Sequence, residues 1–349
     1  MKRLAPLILL LSAILTSDQL PLRASGPSIR VASEFPGADV GQQINAAYAA
    51  LPDHGGEISV TEGGSFSTPI VFGTKNKPVL LIGVPGDVVE LIYTGRGIAI
   101  TFDYGMGHRM GHGLRDLTVT GPGNSTETVG VLFGGVNGAE GITFRDFKIQ
   151  GFGRNLKMGS HTWLAYFDHG MIRDGGINVL LPAGLAEAGE QIVFNHVTFA
   201  DAPPPHRNSV WVQGGGQEVV FSDCSFDQAQ LRIGNGDKTA AQVVVHGCHF
   251  ENPNYQLTGS VVYDYVTVDN HPGNLVRLTD SYFLQDAPTH GPSRFMMLYG
   301  GRAFICGVGM YTPAGSPLQH FATLANGAAA EAYGFSDLSG NITGAQFGY

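Results

Sequence analysis

Apolar and polar positions alternate in short runs through most of the chain, and one six-residue pattern returns about every 27 residues: apolar, polar, Asp/His/Gly, any, polar, apolar. It reads LRDLTV, FRDFKI, FDHGMI, FNHVTF, FSDCSF, VHGCHF, LTDSYF and ICGVGM. The first position is Leu114, Phe144, Phe167, Phe194, Phe221, Val245, Leu278 or Ile305, and the last is Val119, Ile149, Ile172, Phe199, Phe226, Phe250, Phe283 or Met310. Numbered by their fourth residues, Leu117, Phe147, Gly170, Val197, Cys224, Cys248, Ser281 and Val308, the hexads are 30, 23, 27, 27, 24, 33 and 27 residues apart. A period of that length marks a solenoid, in which each repeat buries its apolar face only against its neighbours.

Period-2 alternation marks strands, and the Asp, His or Gly inside each hexad marks a bend between two of them. One full period reads VVF at 219–221, a bend at Ser222-Asp223, CSF at 224–226, a turn at Asp227-Gln228-Ala229 and LRI at 231–233. Three short strands per turn predict an all-β fold, a single-stranded right-handed parallel β-helix. Equivalent residues then pile up at about 4.8 Å per rung. Phe199, Phe226, Phe250 and Phe283 should form one interior column.

The open end of such a stack needs a cover. Asp39 and Gln42 form a capping box, and Val40, Ile44, Ala47, Tyr48 and Leu51 share one helical face before Pro52, which predicts a capping helix over about 39–51. Before it, Lys2 and Arg3, an apolar run from Leu4 to Leu15 and a polar segment reaching Arg23-Ala24-Ser25 read as a signal peptide, residues 1–24. About 12 apolar residues are too few to span a bilayer. The expectation is an exported chain, secreted, periplasmic or on the cell surface, with one β-helix domain over 25–349.

Composition agrees with this fold and narrows the partners. Glycine at 50 of 349 residues and a charged fraction of 14% suit many tight turns and stacked uncharged surfaces. A net charge of −9 provides no basic stripe for nucleic acid. Of three cysteines, Cys224 and Cys248 occupy the same place in successive repeats, where they either stack as thiols or pair.

The opening FPGADVGQQINAAYAALPDHGGEISVTEGG, followed by VLLIGVPG, resembles the start of the pectate-lyase-like (pectin lyase fold) right-handed β-helix superfamily. The later stretches GFGRNL, AGEQIVFNHVTF, CSFD and CHFEN are similar to β-helix proteins of that kind, tailspike-like members included. The resemblance implies a scaffold that carries lyases, hydrolases, epimerases and non-catalytic adhesins, so the reaction must come from the site. Its lyases take a proton beside a uronate with an arginine while clustered acids hold calcium, and its polygalacturonase-like hydrolases carry Asn-Thr-Asp, Asp-Asp and Arg-Ile-Lys segments. Neither set of motifs stands in this sequence. Trimers occur among its tailspike-like members, which leaves monomer and homotrimer both open.

The repeat itself gives a lead. Just after each hexad the chain carries Thr120, Gln150, Arg173, Ala200, Asp227, Glu251, Leu284 and Tyr311. Asp227 and Glu251 are thus ladder neighbours, with backbones about 5 Å apart, and paired carboxylates suit glycoside hydrolysis. The bland reading is that both are ordinary turn residues. His249, pointing outward beside Glu251, is the auxiliary acid or base. If VWV, LRI and VYD are equivalent, Trp211, Arg232 and Tyr263 form an outward column suited to sugar faces and carboxylates. Asp201, His206 and Arg207 border it on a loop, and Glu190 is a reserve carboxylate from the preceding coil. His169 and His196 fall in the bend column, where bonding to turn backbone is the default. No His/Cys spacing resembles a zinc site and no glycine-rich element cradles phosphate.

The resulting expectation is an exported polysaccharide-active protein that hydrolyses through Asp227 and Glu251 or eliminates at a uronate with Arg232 as base. No cofactor is expected for hydrolysis, and calcium only for elimination. The rival reading is a non-catalytic glycan-binding or envelope solenoid.

Overall fold

The computed structural model describes residues 28–349 except 87–88, 106–110, 125–126, 201–208, 215–217, 237, 252–262, 286–292, 312–320, 338–346 and 349. The leader expected over residues 1–24 lies outside the described residues.

The path of the chain is set by the third residue of the hexad. Asp116, Asp146, His169, His196, Asp223 and Asp280 all stand at φ between 49° and 54°, and Gly247 and Gly307 at 64° and 67°. Left-handed backbone of this kind is costly for most side chains and is tolerated by Gly, Asn, Asp and His. One left-handed residue per rung turns the strand through a corner, dividing it into a first wall before the bend and a second wall after it. In the rungs Ile142–Gln150, Thr162–Arg173 and Ala188–Ala200 a single strand runs through the corner. From Glu218–Ser222 and Ser225–Asp227 onward the corner separates two strands, and Leu231–Ile233 follows on the third wall. The first two walls belong to a 19-stranded sheet and the third is an 11-stranded sheet, both parallel.

The ladders run as the repeat requires. Leu114, Phe144, Phe167, Phe194, Phe221, Val245, Leu278 and Ile305 are successive partners on the first wall. Val119, Ile149, Ile172, Phe199, Phe226, Phe250, Phe283 and Met310 are successive partners on the second. All of these side chains are at most 1% exposed. The rings of Phe226 and Phe250, and of Phe250 and Phe283, lie 4.5 Å apart and 3° from parallel. Full burial of each such side chain stabilises the coil by about 1.5–3 kcal/mol.

The fourth hexad position fits its neighbours by size. A Cβ on Gly170 would lie 2.3 Å from the ring of Phe147 on the preceding rung, so the glycine makes room for that phenylalanine. Cys224 and Cys248 occupy the same position as buried free thiols, donating to the carbonyls of Phe194 and Phe221 at 3.4 and 3.5 Å. They stack rather than pair, and burial pushes the Cys224 thiol up.

The cover is α1, Val40–Ala49. Asp39 accepts from Gln42 N at 2.8 Å as N-cap, and its other oxygen accepts from Ser67 N and Thr68 N at 3.0 and 3.1 Å. Asn45 accepts from Val71 N and donates to Pro69 O, the bonds an adjacent strand would make. The helix thereby buries Ile44, Ala47 and Tyr48 and satisfies the first open edge with side chains. No helix among the described residues is long and apolar enough to cross a membrane.

Candidate functional site

Phe226, Phe250, Phe283 and Met310 point inward at the middle of four successive three-residue strands, Ser225–Asp227, His249–Glu251, Tyr282–Leu284 and Gly309–Tyr311. Strand alternation therefore turns the residue on either side of each outward. The outer face of the second wall carries two parallel columns, Ser225-His249-Tyr282-Gly309 and Asp227-Glu251-Leu284-Tyr311. Asp227 and Glu251 are direct partners, and one ligand-capable atom each of Asp227, His249 and Glu251 lies within 4.8 Å of the others. The Ser225 hydroxyl donates to Asp227 Oδ1, and the His249 ring stacks on Tyr282 at 5.6 Å. Burial pushes the Tyr282 phenol up, and nearby Tyr311 adds to that.

The chain length around this cluster is uneven. Nine residues connect Ala200 to Val210, three connect Asp227 to Leu231 and eleven connect Glu251 to Tyr263. The short connection, turned by Gln228 at φ 59°, leaves Asp227 between two rungs with long connections. Two carboxylates and an imidazole fall short of the roughly six to eight oxygens that calcium takes, so the described residues here do not form a calcium cage.

The other expected site residues are placed differently. On the third wall Trp211 pairs with Arg232, and Arg232 pairs with Thr267 rather than Tyr263. The inward positions explain the shift: Val266 and Val268 supply two apolar residues beneath Leu231 and Ile233, whereas the VYD reading would place Asp264 in the core. The strand Tyr263–Val268 runs on past that segment and meets Leu231–Ile233 with its last three residues. Arg232 is not free to act as a base. Its guanidinium lies 4.5 Å over the Trp211 ring and makes three contacts of 3.0–3.2 Å with Asp269, whose side chain is 8% exposed. A guanidinium held in that fork spends its donors on the carboxylate. The Trp211 indole donates to Gly234 O at 2.8 Å, so this pair is tied into the wall. Glu190 pairs with Trp163 near the start of the strand whose last residue, Ala200, stands in the Asp227 column. About 30 Å of strand path with a bend separates them, so Glu190 does not approach the pair. Asp201 and Arg207 lie outside the described residues.

Further along the same outer face runs an open groove of about 520 Å³, lined among others by Asp116, Thr118, Asp146, Lys148, His169 and His196. It follows the corner between the first two walls. Asp168, next to the groove-lining His169, has Oδ1 2.9 Å from His169 Nδ1 and 2.8 Å from the donating Asn195 amide, and Arg145 lies 3.8 Å from Oδ2. Burial opposes its charge, yet the bonds from Asn195 and His169 and the charge of Arg145 hold the carboxyl below the usual range. The rings of His169 and His196 stack at 4.9 Å and 6°. The hexads place these residues on neighbouring rungs, but a linear pattern carries no sign that the corner is concave.

No family model matches the chain. Among curated proteins it is similar to a depolymerase specific for capsule K2 from Klebsiella phage vB_KpnP_KpV74, 27% identical over 53% of this chain and 34% of that protein. Among solved structures it is similar to the enzymatically active domain of tailspike protein 4 from bacteriophage CBA120, with TM-score 0.59, 15% identity, and coverage of 85% of this chain and 42% of that one. It is also similar to ORF18 of Geobacillus virus E2, with TM-score 0.56, 12% identity, and coverage of 88% of this chain and 61% of that one. The chain thus spans about a third of the depolymerase and less than half of the tailspike domain. The structural likenesses establish the shared right-handed parallel β-helix fold.

Proposed function

We propose that this chain cleaves glycosidic bonds of a polysaccharide with Asp227 and Glu251 as the working pair. The observation that carries the reading is their position: two outward carboxylates on adjacent rungs, with oxygens within 4.8 Å, beside the only short connection in three successive rungs. Carboxyl groups about 5–5.5 Å apart belong to retaining glycosidases, and inverting pairs stand at about 6.5–9.5 Å. Retention is the outcome that fits. Asp227, which accepts the Ser225 hydroxyl, attacks the anomeric carbon. Glu251 protonates the departing oxygen and afterwards takes a proton from the water that releases the sugar. His249 holds the position from which it can exchange a proton with Glu251, and Tyr282 and Tyr311 offer aromatic edges for a sugar ring. The likeness to a capsule depolymerase favours a cell-surface polysaccharide as substrate, acting outside the cell.

Elimination is the less favoured route because Arg232, its expected base, is engaged by Asp269. The test is incubation of the purified chain with a panel of acidic and neutral surface polysaccharides, following reducing ends, the absorbance of unsaturated uronate and, by proton NMR, the configuration of the first-formed product. Reducing ends with retained configuration and no unsaturated uronate support the reading. Unsaturated uronate assigns elimination, and retention of glycan on the protein without new ends assigns binding alone.

A further inference from the structure

We propose that Asp168, His169 and His196 bind a divalent transition-metal ion at the groove along the corner, a site separate from Asp227 and Glu251 and independent of the reading given to them. One ligand-capable atom from each of the three lies within 4.8 Å of the others. Two imidazoles and one carboxylate are a donor set for zinc, copper or nickel rather than for calcium or magnesium, which take oxygen.

The fold preorganises this set. His169 and His196 sit at equivalent bends on successive rungs, at φ 49° and 51°, and the parallel ladder Gly170 to Val197 fixes their spacing. Their rings stand face to face at 4.9 Å, close enough for one ion to take a nitrogen from each. Asp168 adds an anionic oxygen already oriented by Asn195 and by His169 Nδ1. Zinc holds its ligands at about 2.0–2.2 Å, so the three groups must close in somewhat. Both histidines are exposed, and their side chains can turn at little cost. The cation now beside the carboxylate, Arg145, is 59% exposed and 3.8 Å away, a weak surface pair that an ion displaces easily. His169 and His196 line the groove, so an ion held by them has coordination positions open to whatever enters it.

The experiment titrates metal-free full chain with zinc chloride by calorimetry and with cobalt(II) by visible absorption. The variants are the double substitution His169→Asn/His196→Asn, the single Asp168→Asn and the double substitution Asp227→Asn/Glu251→Gln. Asparagine accepts the left-handed bend, so the first variant keeps the corner while losing both imidazoles, and unchanged far-UV circular dichroism verifies that. The expected result is one equivalent of zinc and a cobalt absorption band in the wild type and in the Asp227/Glu251 variant, with both lost in the double histidine variant and affinity lowered by Asp168→Asn. No ion taken up by the wild type, full binding by the histidine variant, or loss on changing Asp227 and Glu251 would each overturn the proposal.

Discussion

Removing the ring of Phe250 probes the ladder that brings the carboxylates together. Phe250 is fully buried, with Phe226 and Phe283 each 4.5 Å away and 3° from parallel. Phe250→Ala forfeits the burial and leaves a cavity between two rungs that the sheet spacing holds apart, at a cost of about 3–5 kcal/mol. Each stacked contact accounts for roughly 0.5–1.5 kcal/mol of that. Phe304 on the outer side of the first wall is 38% exposed, and Phe304→Ala should cost under about 1 kcal/mol. Equilibrium urea unfolding followed by far-UV circular dichroism gives both values. A double-mutant cycle then separates register from hydrophobicity. Phe226→Ala with Phe250→Ala should show a coupling of about 0.5–1.5 kcal/mol, whereas Phe226→Ala with Phe304→Ala should be additive within about 0.5 kcal/mol. A Phe250→Ala cost no larger than that of Phe304→Ala, or a cycle without coupling, would refute the stacked-rung reasoning.

Three further outcomes follow from the same structure. At the bend, Asp223→Gly should keep stability within about 0.5 kcal/mol, while Asp223→Val should lose about 1–2 kcal/mol because a branched side chain resists φ 51°; the same urea midpoints read both. Asp39 is held low by hydrogen bonds from Ser67, Gln42 and Thr68 despite burial, so its folded pKa lies below the unfolded one. Its charge therefore stabilises the fold fully above about pH 4 and ceases to as the pH falls through the lowered folded value. Unfolding midpoints should separate wild type from Asp39→Asn at neutral pH and converge as the pH falls through the lowered folded value, and a constant gap would contradict the linkage. Arg232→Ala strips the buried Asp269 of its cationic partner, leaving the bond from Gly236 N, and should destabilise by on the order of 2 kcal/mol, with Arg232→Lys intermediate. Unchanged melting together with lost polysaccharide cleavage would instead return Arg232 to the reaction.

The parts of the fold that a sequence can carry are those with a periodic physical demand. The hexad's first and last residues are apolar because they face one continuous interior, and its third is Asp, His or Gly because the corner needs left-handed backbone. Both demands repeat every rung, so the ladders, the corner, the Asp227–Glu251 pairing and the place of Cys248 next to Cys224 were legible, while the choice between stacked thiols and a disulfide was not. The capping helix was legible through Asp39, whose side chain accepts from Gln42 N as an N-cap should, while the Gln42 side chain accepts from Ala38 N, one residue before the N-cap. The Trp211 column was misread at Tyr263 because an eleven-residue connection hides the register, and only the demand for two inward apolar residues selects VTV over VYD. Asp269 was invisible as the partner of Arg232 because it lies 37 residues away, past the end of a strand and outside the hexad. Outward positions face water and obey no period, so Tyr282 and Tyr311 gave no signal beyond their place in the count, and the concave corner between His169 and His196 gave none.

The most direct test of the account compares reducing-end release from a cleaved polysaccharide by wild type, Asp227→Asn and Glu251→Gln at equal thermal stability. The account predicts that each substitution lowers kcat by about 10²–10⁴-fold, the range for removal of a positioned acid or base. Wild-type kcat in both variants would contradict it.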